Sequence, residues 1–166
     1  MNQTDQLMDL LLKPNKILML IFAINNSMKA IRIISVFLGI SMFMFGILKL
    51  VNPFKSWYSI QIINSGIDQS LYWPGILGEI SAGVLFLGII LFRSRLSKKV
   101  FSVVIIAASA IVIMLMLTAI RTHLHPNVPA NVLPLKIKPP IIPGLFLLLA
   151  IADISLMSRL LLRIDR

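Results

Sequence analysis

Glu79 and Asp153 are acidic side chains set inside long apolar runs. A carboxyl group in hydrocarbon is costly and is retained where it is paired, exchanges protons or meets a ligand. Around Glu79 the chain reads YWPGILGEISAGVLFLG. Gly75 and Gly83 therefore lie four residues to either side of the carboxyl, and Tyr72 lies seven before it, on one helical face. Small residues there let a second helix approach, so a partner donor can reach Glu79 and shield it from lipid. The same arrangement serves an interhelical bond that only fixes packing. Asp153, in LLAIADISLMS, is a secondary candidate for ligand binding; its plainer reading is a protonated carboxyl satisfied by a serine or a backbone carbonyl.

Two cations compete to face Glu79. Lys49 closes the first apolar run, with Gly46 three residues before it, and Arg121 closes the third. A lysine at a helix C-terminus also favours the dipole and snorkels to the interface without further purpose. His123 and His125 are two apart, so they diverge on a helix and face one way in an extended segment; Pro126 favours the extended case. A metal would need further ligands from Glu79 or Asp68, because the chain has no cysteine. Hydrogen bonding of a ligand head group is the other functional use of these histidines, with Tyr72 and Trp73 as aromatic neighbours.

These residues need elements to hold them. With 58% hydrophobic and 13% charged residues and a mean hydropathy of +0.93, the chain departs from soluble composition toward an all-α integral membrane protein. A span needs about 20 apolar residues. Four stretches qualify, at about 31–51, 71–92, 100–120 and 141–162, which gives a four-helix bundle in one domain over 29–166. Residues 1–28 form a separate cytoplasmic or surface segment. Within it, ILMLIFAI is too short to span and lacks a cleavage site. MKAIRII from Met28 reads as a plausible translation start, so 1–27 are either absent from the natural protein or an amphipathic surface segment.

The net charge of +10 is spread along the flanks of the spans rather than gathered in one patch, which points to lipid and away from nucleic acid. Eleven Lys and Arg flank one side of the bundle: Lys13, Lys16, Lys29, Arg32, Arg93, Arg95, Lys98, Lys99, Arg159, Arg163 and Arg166. Five, namely Lys49, Lys55, Arg121, Lys136 and Lys138, flank the other. The positive-inside rule then puts both termini in the cytoplasm of a multi-pass protein of the cell membrane. The segment RTHLHPNVPANVLPLKIKPP lies outside, and its alternation of apolar and cationic residues reads as a lid folded on the bundle, with Lys136 and Lys138 reaching anionic head groups. Trp57, Tyr58, Tyr72 and Trp73 make an interfacial belt.

Gly46 and Lys49 followed by Pro53, then glycine-flanked Glu79 with Gly83 and Gly88, resemble the DoxX family of small four-span membrane proteins from about Ile31 to the end of the fourth span. Ile76 stands where that family usually has glycine. The resemblance implies a small subunit of a quinone-linked oxidoreductase, with a redox partner protein. On that reading Glu79 exchanges protons, Lys49 or Arg121 is its electrostatic partner, and His123 or His125 donates to a quinone oxygen. The residues also admit a proton-coupled exporter, which would require a homo-oligomer, or a scaffold whose buried charges are structural. No phosphate-cradling glycine pattern and no hydrolase triad is present.

Overall fold

A computed structural model describes the backbone of residues 3–164 and the side chains of residues 19 and 22–162. It is all-helical, with no strand among the described residues. Helix α1 runs Gln3–Leu48, α2 Phe54–Asn64, α3 Tyr72–Leu91, α4 Lys98–Leu124 and α5 Ile141–Ile164. Four segments are long and apolar enough to cross a membrane: Phe22–Leu48, Gln69–Leu91, Lys98–Leu124 and Ile141–Leu162. This is a multi-pass membrane protein. Its outward faces carry Phe37, Met44, Val84, Val103 and Leu148, all exposed, as helices bathed in lipid require. The side chains of Lys13, Lys16, Arg163 and Arg166, counted in the charge asymmetry, lie outside the described residues.

Local chemistry sets the helix ends. Ser97 caps α4, its hydroxyl accepting the Val100 amide at 3.3 Å. The helix stops at Leu124 because His125 precedes Pro126 and takes an extended conformation (φ −68°, ψ 129°). That is four residues beyond the expected end, so His123 is in the last turn of a helix rather than in an extended loop. At the other extreme, α1 passes through the expected boundary at residue 28 without a break. The stretch NNSMKA contains neither proline nor glycine, and nothing in it stops a helix already under way. Asp68 caps the turn that leads into α3, its carboxylate accepting the Ser70 amide at 2.7 Å. The Ser70 hydroxyl and amide hold this exposed carboxyl below its ordinary pKa.

Inside the bundle α1 packs chiefly on α3, α4 lies against α3 and α5, and α1 closes on α5. Leu38 and Met42 of α1, Ala82 and Phe86 of α3, Ile105 and Val112 of α4, and Ala150 and Met157 of α5 are buried to 0% exposure. Close approach of α1 and α3 is permitted by glycine. A Cβ on Gly83 would sit 2.6 Å from the Phe43 backbone nitrogen, and one on Gly46 would sit 2.6 Å from Ile80 Cγ1. Gly88, five residues beyond Gly83, has nothing within 4 Å of the same position. Gly83→Ala should therefore cost about 1–3 kcal/mol, because the backbone itself must move. Gly88→Ala should leave the protein essentially unchanged. Thermal unfolding of both variants in detergent, followed by the monodisperse fraction after heating, checks the contrast.

Candidate functional site

The end of the bundle where α1 stops, α3 and α5 start and α4 finishes is closed by α2 and by residues 125–140. Between them is a cavity of about 430 Å³, within the range of small-molecule sites. Most of its wall is apolar, and its polar groups converge from four elements. Lys49 follows α1, Tyr58 and Gln61 lie on α2, Glu79 on α3, and Thr118, Thr122 and His123 on α4.

Lys49 and Glu79 meet directly. Lys49 Nζ is 2.5 Å from Glu79 Oε1, and the same ammonium stands 4.2 Å over the centre of the Tyr58 ring. Glu79 is 6% exposed, and its Oε2 has no hydrogen-bond partner among the described residues. The glycines explain how these groups reach one another. A Cβ on Gly46 would lie 3.3 Å from Glu79 Cβ, and one on Gly75 would lie 2.1 Å from the Tyr58 hydroxyl oxygen. Burial first, and the negative charge of Glu79 second, push the Tyr58 hydroxyl above its ordinary pKa. It stays protonated and points at the Tyr72 carbonyl, 3.5 Å away.

The other expected residues divide around this pair. Arg121 is exposed, lines no part of the cavity and forms no salt bridge among the described residues. His123 is 4% exposed and lines the cavity, with Nδ1 3.3 Å from the Lys138 carbonyl oxygen. A neutral ring therefore donates Nδ1–H to that carbonyl and keeps Nε2 as an acceptor, the reverse of the donor role expected for it. His125 is outside the cavity, its Nδ1 accepting the Asn127 amide at 3.4 Å. Tyr72 and Trp73 also lie off the cavity wall. They face a shallow pocket between α2 and α3, where Tyr72 packs behind Tyr58 with ring centres 5.0 Å apart. Asp153 is buried away from the cavity and accepts from Ser35 Oγ at 2.9 Å, joining α5 to α1. Its Oδ1, like the buried Ser109 hydroxyl, has no partner among the described residues. No group of three His, Asp or Glu side chains gathers as a metal site among the described residues.

Residues 125–140 fold onto the cavity. Val128, Val132 and Leu133 are buried and pack on Trp57, and the Gln61 amide donates to the Val132 carbonyl. Lys138 turns inward instead of outward: Nζ donates to the His125 carbonyl at 2.6 Å and also to the Val128 carbonyl. The Val128 carbonyl, and the His125 carbonyl that also accepts the Val128 amide, outweigh a head group for this lysine, while Lys136 remains exposed. The backbone is left-handed at Leu135 and Lys136, with φ 55° and 57°. That turn carries Leu135 to the rim. Leu71, Met114 and Leu135 line the cavity yet are 49%, 71% and 78% exposed.

No family model, curated protein or solved structure matches the chain. The site therefore stands on its own geometry.

Tyr58 and Gln61 were read from sequence only as an aromatic-belt residue and an unremarked polar one. The signal was there in FKSWYSIQIIN, where Trp57, Tyr58, Gln61 and Ile62 share one helical face. Removing one member of the pair leaves the other charge stranded. Lys49→Met should cost on the order of 3 kcal/mol, with much of it recovered in the Lys49→Met/Glu79→Gln double variant. Arg121→Ala should be near neutral. Thermal melts of the four proteins test this assignment of the partner cation.

Proposed function

We propose that the protein is a DoxX-like membrane subunit of a quinone-linked oxidoreductase, binding the ring of a quinone in the cavity of about 430 Å³. The observation that carries this reading is an apolar chamber with an ammonium–carboxylate pair in its wall and exposed apolar residues at its rim. A bound quinone takes up two electrons and two protons to become the quinol, the electrons coming from a partner oxidoreductase.

The chain's own residues supply the remaining functions. Apolar side chains such as Phe45, Ile62 and Leu115 hold the ring, and residues 125–140 keep water from it. Glu79 exchanges the proton, and Lys49, 2.5 Å away, stabilises the carboxylate once the proton has left. Counting Lys and Arg by the positive-inside rule, the cavity opens on the outer side of the cell membrane and both termini are cytoplasmic. A neutral ligand is favoured over a lipophilic cation, because Lys49 already balances the charge of Glu79 and a second cation would leave a net positive charge in an apolar wall. That weakens the proton-coupled exporter as an alternative.

Lipid extracts of the detergent-purified protein, analysed by mass spectrometry, are expected to contain a quinone or quinol in near-stoichiometric amount. Ala119→Trp, which fills the cavity from α4, should remove it, and Lys136→Ala, on the exposed side of the loop, should not. Absence of any quinone from the wild-type extract would overturn the proposal.

A further inference from the structure

The protein donors around the cavity are largely spent on the protein itself. The Thr118 hydroxyl donates to the Met114 carbonyl and that of Thr122 to the Thr118 carbonyl, each at 3.1 Å. Tyr58 O–H points to the Tyr72 carbonyl, Gln61 N–H to Val132 and His123 Nδ1–H to Lys138. Lys49 is committed to Glu79 Oε1 and to the face of Tyr58. What remains is mostly acceptor capacity. Glu79 Oε2 is buried without a donor among the described residues, and an ionised carboxylate offers about four lone-pair sites, of which Lys49 takes one. The Gln61 carbonyl oxygen adds another. The Trp57 indole N–H and the remaining protons of Lys49 are the exceptions.

An oxidised quinone presents carbonyl oxygens, which only accept. Its reduced form presents hydroxyls, and a hydroxyl suits an ion pair on both counts: its oxygen accepts from the ammonium while its hydrogen goes to the carboxylate. We infer that the polar group this cavity selects is a hydroxyl, donated to Glu79, so that a quinol is held more tightly than the corresponding quinone. The inference rests on the quinone reading above. A hydrogen bond to a charged acceptor corresponds to roughly tenfold or more in affinity. A tenfold preference raises the midpoint potential of the bound two-electron couple by ~30 mV, which makes the bound ring a better acceptor of electrons from a partner.

Isothermal titration of the detergent-solubilised full chain under argon tests this with four probes: a decyl-benzoquinol, its quinone, the dimethyl ether of the quinol, and farnesol. The expected result is a quinol dissociation constant about tenfold or more below those of the quinone and the ether, with the difference largely lost in Glu79→Gln, whose amide both donates and accepts. Should that variant fail to fold, the ether comparison on the wild type decides. Equal affinity for quinol and quinone, or a tighter quinone, overturns the hydroxyl assignment and leaves the quinone site standing. No binding of either ring overturns both. Farnesol binding as tightly as the quinol assigns the hydroxyl to a lipid alcohol and overturns the quinol preference.

Discussion

A carboxylate within a membrane helix must be met by something that water would otherwise supply. Here that something is one lysine from the neighbouring helix, and the requirement propagates outward. For Lys49 to reach Glu79, α1 and α3 must cross closely, which is why Gly46 and Gly83 lack a Cβ at the points where one would strike the opposite helix. For the ammonium to be shielded on its other side an aromatic face is needed, and Tyr58 supplies it from α2. For Tyr58 to sit there, Gly75 must be small. The glycines on the face of α3, the length of α1 and the placement of α2 are thus one constraint seen from three elements.

Asp153 shows the other way a membrane carboxyl is accommodated. Among the described residues it meets no cation; Ser35 donates to one of its oxygens, and Ser109 is likewise buried in the bundle. Both carboxyls tie helices together. Of the two, Glu79 does so at the wall of the cavity and Asp153 away from it.

The spans were legible because hydrocarbon leaves few solutions: long apolar runs bounded by Lys, Arg and proline can hardly be anything but helices. The pairing of Lys49 with Glu79 was half legible, since glycines at helical spacing announce a close neighbour but do not say which of two cations arrives. Arg121 has the right depth and the wrong azimuth, and azimuth depends on how α4 rotates against α3, which no local pattern encodes. His123 departs from the expected extended conformation for a different reason. Pro126 ends the helix at Leu124, so its influence stops one residue short of His123. Lys138 misled because a solvent-facing fate is usual for a loop lysine, and only the folded loop reveals two carbonyls waiting for it.

Of the exposed residues that line the cavity, Leu71 and Leu135 lie at the end of the bundle, while Met114 lies ten residues inside the end of α4, on the flank that lipid would cover. An amphipath dissolved in the bilayer meets such a flank by lateral diffusion in two dimensions, without first crossing water. Its encounter rate then follows its mole fraction among the surrounding lipids rather than its aqueous solubility. For a ligand that arrives in this way, modest contacts inside the chamber suffice for high occupancy, and the composition of the host membrane becomes a variable in its binding.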